Sequence, residues 1–276
     1  MEPKIIIHGG IESVIEIEEI LRKKEALDRI CCESYKHLAH NSAVDAVEYA
    51  IKLMEDDPLF NAGTGAIMQS DAVQRMDASI MDGYALNFGA VAQIRGVRNP
   101  IAVARMVMEK TSHLLLCGEE AQKFAYLNGV QPYCTLNNDS FERWKKINDP
   151  IAHGTVGAAA IDEGGHIAAG TSTGGWATSL PGRIGDVPII GAGTYADKLA
   201  GVSCTGHGEK IMAAGLARMV SFHSQLGISF NEAAERSIEC LKNISGSGGF
   251  IAMHYSGNVL YKSTYGAQMP TSFLPG

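Results

Sequence analysis

Two periodicities divide the chain. Apolar residues spaced three and four apart mark helices, and apolar runs of four to eight residues bounded by turn residues mark strands. Over 42–54, Val44, Val47, Ile51 and Met54 fall on one helical face, and Ser42 with Asp45 three residues on resembles a capping box. The charged stretch 15–35 predicts a second helix. Asn99-Pro100 opens a third, because proline fits the first helical position and Ile101, Ala104 and Met108 follow as its buried stripe. Further helices are expected over 119–128, stopping at Gly129, and over 209–222 and 231–241.

Strands are expected at 5–7, which runs into His8-Gly9-Gly10, and at 78–81, 89–94, 114–117, 155–161, 166–171, 202–204, 250–254 and 259–263. Several are apolar on both faces, so their sheets should be covered on both sides. The order is not a regular βαβ alternation. That disfavours a doubly wound sheet and suits two sheets with helices outside, an α+β chain. The elements fall into two clusters joined by 131–152, a polar stretch with Pro132 and Pro150 near its ends that reads as a surface loop or a weak helix.

Composition narrows the partners. The 276 residues are 46% hydrophobic and 19% charged, enough for a sizeable core. Glycine stands out at 31 residues, many beside Ala, Ser and Thr, as in 168–197. Small residues let backbone approach backbone or ligand, which suggests a site built from main chain. The net charge of −7 and the lack of a Lys/Arg block argue against nucleic acid. No apolar run approaches the roughly 20 residues of a membrane span, and the first apolar run is too short for a signal peptide. Six cysteines without regular spacing fit a cytoplasmic protein that uses them for packing.

Several motifs carry ordinary readings. Gly191-Ala192-Gly193 with Ala196 matches a dinucleotide fingerprint, but Pro188 interrupts the preceding run and no βαβ unit follows. His207 stands where a phosphate loop after Gly206 needs lysine, and no G-x-S-x-G elbow occurs. His37 and His40 could share a helix face, but they lack companions for a metal set. Threonines in glycine-rich settings are more telling. Thr155 follows His153-Gly154 and opens "TVGAAAID", Thr171 and Thr173 lie in "AAGTSTGGW", Arg183 and Asp186 in "LPGRIGD", and Thr205 in "SCTGHGE".

Taken in order, "FNAGTGAIM", "MDASIMDG", "RNPIAVARMVMEK", "HGTVGAAAID", "TSTGG", "LPGRIGD", "IIGAGTYAD", "SCTGHGE" and "GSGGFIAM" resemble the isoaspartyl peptidase / plant-type asparaginase family over nearly the whole chain. The resemblance implies one N-terminal-nucleophile hydrolase domain over 1–276, a four-layer αββα sandwich. It implies self-cleavage between Gly154 and Thr155 into chains of 154 and 122 residues that remain together. The implied activity is hydrolysis of β-aspartyl dipeptides and L-asparagine to L-aspartate by the Thr155 hydroxyl, with the freed amine as base.

Further roles follow from the same resemblance. Thr173 would orient Thr155, and Thr205 and Gly206 would serve the oxyanion and substrate. Arg183 would grip the substrate α-carboxylate and Asp186 its α-ammonium. Ile184, Gly185, His207 and Gly208 would line the pocket, and Asn61 would face it. Main-chain carbonyls of Met54, Glu55, Asp57, Phe60, Ala62 and Thr64 would hold a structural sodium, with no cofactor required. The partners implied are small-molecule substrates, with a dimer of αβ units and neither nucleic acid nor membrane. The chain departs from the family at Ile11, where a small residue is usual, and at Trp176, where a smaller one is common. The short linker before the cut and the early end of the tail also depart. Two other readings remain at this point: a non-cleaving relative that only binds ligand, and a nucleotide-binding oxidoreductase built on Gly191.

Overall fold

Alternation along the strands decides which layer each side chain enters. In the computed structural model, which describes residues 1–11, 17–134, 141, 144, 154–264 and 268–275, β1 (Lys4–His8) turns Ile5 and Ile7 toward a helical layer and Ile6 toward a second sheet. In β5 (Val156–Ile161), Val156, Ala158 and Ala160 share the side of Ile5, whereas Ala159 and Ile161 share that of Ile6. These strands are buried on both faces, which is why they read as unbroken apolar runs.

Seven strands form the larger sheet in the order β11-β1-β5-β6-β2-β3-β4. Its remaining members are β2 (Met76–Asp82), β3 (Asn87–Ile94), β4 (Leu115–Cys117), β6 (Ile167–Thr173) and β11 (Thr271–Leu274). All its pairings are antiparallel except β3 with β4. The smaller sheet runs β10 (Val259–Ser263), β9 (Gly248–His254), β8 (Ala200–Gly206), β7 (Thr194–Ala196).

On the outer face of the larger sheet lie α1 (Ile17–Leu38), α2 (Ala43–Asp56) and α3 (Pro100–Lys110), with α4 (Gly118–Leu127) against β3 and β4. The outer face of the smaller sheet carries α6 (Leu216–Gln225) and α7 (Phe230–Asn243), and the short α5 (Gly208–Ala214) leads into them. Between the layers, β5 and β6 face β8. The result is the expected αββα sandwich. The capping box at Ser42 and Asp45 forms: Asp45 N donates to Ser42 Oγ at 3.2 Å, and Ser42 N to Asp45 Oδ2 at 3.3 Å.

The two clusters share the larger sheet, because β5 and β6 pair between β1 and β2. The helix over 209–222 is two, broken at Gly215 with φ +59. The supposed dinucleotide fingerprint is a turn feeding the edge strand β7, with β8 rather than a helix after it. A Cβ at Gly193 would lie 2.6 Å from Asp186 O, so this glycine serves close backbone approach. His37 stacks on Tyr49, the bland reading of that residue. Of the cysteines, Cys31 and Cys204 are buried while Cys32, Cys117 and Cys134 are exposed, so packing does not explain the whole set. The start of the first predicted helix and most of 131–152 lie outside the described residues.

Candidate active site

Antiparallel pairing of β5 with β6 sets Val156 opposite Ser172. One step further along the same register, Thr155 meets Thr173, and their Oγ1 atoms are 3.2 Å apart. Both residues are buried, and Thr173 Oγ1 also accepts from Gly175 N–H at 3.1 Å. The register thus brings together two hydroxyls 18 residues apart.

The loop after β1 closes over this junction. Gly10 has φ +100, and a Cβ there would lie 2.6 Å from Gly154 Cα and 3.0 Å from Thr155 N. Only glycine meets both conditions, so Gly10 lets one main chain lie directly on the other. Next to it, Ile11 N–H donates to Thr205 Oγ1 at 3.1 Å, which leaves the Thr205 proton to be aimed elsewhere. His8 braces the loop from within the sandwich. Its Nδ1 accepts from Gly10 N–H at 3.2 Å, and Nε2 lies 3.0 Å from Ser203 Oγ. Burial pushes the His8 ring down to about 3, against a hydrogen bond to the Thr155 main chain, so it is a neutral support.

A second group comes from the turn 180–186 and the start of α5. Arg183 Nε and Nη2 each lie 3.0 Å from the Glu209 carboxylate, and the guanidinium stacks 4.6 Å from the Trp176 ring centroid. The Nη1–Nη2 edge remains for another carboxylate. Asp186 is buried, its Oδ2 has no hydrogen-bond partner among the described residues, and burial pushes its carboxyl up to about 7 against a main-chain hydrogen bond and the pull of Arg183. A Cβ at Gly208 would lie 2.7 Å from Asp186 Oδ1 and 2.8 Å from Arg183 Nη2, so its absence keeps the space between acid and base open. Burial likewise lifts Asp77 to about 6; it sits opposite Thr173 in β2 and accepts from Gly185 N–H at 3.4 Å. His207 borders Trp176 at 5.2 Å between ring centroids, and Ile184 is exposed at the rim.

Gly206, expected among the substrate contacts, has φ +134, and a Cβ there would collide with Gly248 of β9. Asn61, expected to face the pocket, links two main-chain segments beside Thr173. Its Oδ1 accepts from Ile67 N–H and its Nδ2 donates to Gly175 O, both at 2.9 Å. The amide thus ties the turn after Thr173, through Gly175, to the main chain at Ile67.

Residues 54–64 run from the last turn of α2 into a tight turn at Gly63–Gly65, a stretch rich in main-chain carbonyls, the donor type a hard cation takes. Glu55 O approaches Gly63, and a Cβ at Gly65 would lie 2.7 Å from Pro58 O and collide with Phe60 O, so the loop crowds carbonyls around glycines. The Met54, Asp57, Phe60 and Ala62 carbonyls also accept backbone N–H groups of the same loop at 2.9–3.3 Å, which uses one lone pair of each. The Glu55 carboxyl turns away into the helical layer. Pushed up to about 8 by burial, it accepts from Ile101 N–H at 3.0 Å and Ser172 Oγ at 2.6 Å.

The sequence had indicated Thr155, Thr173, Thr205, Arg183 and Asp186. It had not singled out His8, Gly10, Asp77, Trp176 as a stacking partner of Arg183, or Glu209 as its ion-pair partner. The signals were present in "HGG", "MDASIMDG" and "TGHGE", but each gains meaning only from neighbours far along the chain.

Chemically, the arrangement offers a nucleophilic hydroxyl beside a second hydroxyl, with a cation and a buried acid on an adjoining turn. Comparison with known proteins gives this geometry its setting. A family profile described as asparaginase matches residues 1–152 and 136–271. The plant-type L-asparaginase of Pyrococcus horikoshii is 42% identical over 278 residues, covering 92% of this chain and 91% of that protein. The isoaspartyl peptidase/L-asparaginase of Mus musculus is 42% identical over 282 residues, covering 96% and 86%. The protein of the same name from Bos taurus is 40% identical over 279 residues, covering 96% and 91%.

Proposed function

Because this chain belongs to the asparaginase family, we propose that it is a self-processing amidohydrolase that releases L-aspartate from β-aspartyl dipeptides and L-asparagine. The observation that carries this reading is the Thr155–Thr173 hydroxyl contact of 3.2 Å at the head of β5, under the Gly10 loop.

Processing starts when the Thr155 hydroxyl attacks the Gly154 carbonyl. The amide bond breaks, an ester links Gly154 to Thr155 Oγ1, and the Thr155 nitrogen keeps its electron pair and takes a proton. Water then hydrolyses the ester, which frees a Gly154 carboxylate and the Thr155 amine. A free α-amino group titrates near ~7.7–8.0, so a useful fraction of it is neutral at physiological pH and can take the proton from its own hydroxyl. The activated oxygen attacks the substrate's side-chain carbonyl, and ammonia or an amino acid leaves with a proton. Water then resolves the aspartyl ester.

Other residues divide the remaining work. Thr173 orients the Thr155 hydroxyl, while Thr205, already accepting from Ile11, points its own proton at the developing oxyanion together with the Gly206 main chain. Arg183 holds the α-carboxylate on its Nη1–Nη2 edge and Asp186 the α-ammonium. Gly185 and Gly208 give both groups room. Carbonyls of Met54, Glu55, Asp57, Phe60, Ala62 and Thr64 would hold sodium, which steadies the loop that carries Asn61 and takes no part in bond breaking.

No described helix is long and apolar enough to cross a membrane. Unpaired cysteines suit the reducing cytoplasm, and the processed enzyme is expected as a dimer of αβ units. Intact mass of the purified protein tests the processing step. Two chains of 154 and 122 residues, with aspartate released from β-Asp-Leu, are expected. A single chain of 276 residues without hydrolysis would leave a ligand-binding relative instead.

The raised Asp186 carboxyl sets a pH dependence. Ammonium binding needs the carboxylate, but the free site holds the proton up to about pH 7. Below that pH binding must expel a proton, so KM should rise about tenfold per pH unit as pH falls, on top of any change in kcat from the Thr155 amine. The measurement is KM for β-Asp-Leu from pH 8 to 5.5 in the parent and in Asp186→Asn. A steep parent and a flat variant are expected. A flat parent would remove Asp186 from ammonium binding.

A further inference from the structure

Gln93 stands out as a residue with a side chain in a backbone conformation that suits glycine. It lies near the end of β3 at φ +53. The pairing of β2 with β3 shifts there: Met76 faces Ile94 and Ala78 faces Val91, so Asp77 alone opposes both Ala92 and Gln93. This is a β-bulge, a device that re-aims a side chain, and left-handed backbone at a non-glycine residue persists only where the surroundings hold it.

The bulge aims the Gln93 amide at the turn that carries Arg183. Nε2 donates to Arg183 O at 2.6 Å, and Oε1 accepts from Gly182 N–H at 3.1 Å. The amide therefore pairs with the turn through both its ends, one donor and one acceptor, which also fixes which end is nitrogen. Asp77 completes the arrangement. Its Oδ1 accepts from Gln93 N–H at 2.7 Å, stabilising the bulge, while Oδ2 lies 3.4 Å from Gly185 N. The Arg183 backbone is thus held on both sides, by Gln93 at 182–183 and by Asp77 at 185. Its guanidinium is held separately by Glu209 and Trp176.

We propose that Gln93 is a positioning residue for substrate binding: its amide, presented by the bulge, sets the place from which Arg183 meets the substrate α-carboxylate. This rests on the reading of Arg183 as the carboxylate clamp. Gln93 touches neither Thr155 nor Thr173, so its effect falls on binding rather than on the acyl-transfer step. A displacement of the turn weakens the clamp and leaves nucleophile and base where they are.

Gln93→Gly is the informative variant, because glycine accepts φ +53 without strain and removes only the side chain. Steady-state hydrolysis of β-Asp-Leu, intact mass and thermal unfolding are measured in the parent and in this variant. Expected are normal processing at Thr155, a Tm not lower than the parent's, kcat within about threefold, and KM raised about tenfold, a change of one decade in affinity. Gln93→Asn, which also tolerates left-handed backbone but is one methylene too short to span the gap, should behave like Gln93→Gly. KM within twofold of the parent in both variants overturns the inference. So does a fall in kcat with KM unchanged, or a loss of Tm with both constants collapsing together in both variants. A processed parent with no turnover of β-Asp-Leu overturns the functional reading and the inference with it, so the parent result separates the two failures.

Discussion

Thr155→Ala should yield a single uncut chain and no measurable hydrolysis, because one hydroxyl serves both processing and turnover. Thr155 Oγ1 is the hydroxyl next to the Gly154 carbonyl at the head of β5, and Thr173 Oγ1 lies 3.2 Å from it. Alanine leaves Gly154 under the Gly10 loop with nothing to attack it. Removing a nucleophile from a comparable hydrolytic apparatus costs on the order of 10⁶-fold in kcat. Because alanine removes little volume, the fold should survive, with Tm within a few degrees of the parent. Intact mass and β-Asp-Leu hydrolysis are the measurements. A mutant that still produces a chain beginning at residue 155 would sink the assignment.

The second large effect is discrimination between peptide linkages. Arg183 and Asp186 present opposite charges on one turn, with the space between them kept open by Gly208. A β-aspartyl unit carries both a free α-carboxylate and a free α-ammonium, and its scissile carbonyl lies on the side chain. An α-linked Asp-Xaa peptide spends the α-carboxylate in the bond. Its scissile carbonyl also sits one carbon closer to the α-carbon, away from Thr155. Misplacing a reacting atom by about 1 Å can cost ~10²-fold, and losing a charged partner adds to that. Arg183 keeps Glu209 in either case, which moderates the second penalty. The expected discrimination is therefore about 10³-fold in kcat/KM. Amino-acid release from matched α- and β-Asp-Leu at equal concentration measures it. Comparable rates would mean that the clamp is misassigned. The stacking of Trp176 on Arg183 suggests that compact leaving groups such as leucine will outrun glycosylated asparagine in the same assay.

Much of this molecule could be read locally. The strand runs, the Ser42–Asp45 box and the proline at the start of α3 are each decided by residues within a few positions of one another. Periodicity and capping act over one or two turns, so they are visible in the order of residues. The threonines, arginine and aspartate of the candidate site were singled out because they lie in distinctive glycine-rich motifs. The strands β7 and β11 were not found. Each is three or four residues long, too short to show alternation, and exists because a longer neighbour offers hydrogen-bonding edges. Gly215 looked like a tolerated glycine within one helix, and only its φ of +59 marks a break.

Pairing and approach between distant segments lay beyond any local signal. The β5–β6 register brings Thr155 to Thr173, and the β1 loop brings Gly10 onto Gly154 from 144 residues away. Asn61 was read as a pocket residue from its motif, and only the fold shows its amide joining Ile67 N–H to Gly175 O beside Thr173. Glu209 lay in a quoted motif without a role of its own, and Gln93 in none, because their work is to hold Arg183 from two other elements. Residue type and short-range spacing encode which chemistry is possible, since nucleophilicity, charge and backbone freedom belong to single residues. Where those residues meet depends on sheet register and on buried contacts summed over the whole chain, and these exist only once the layers have packed.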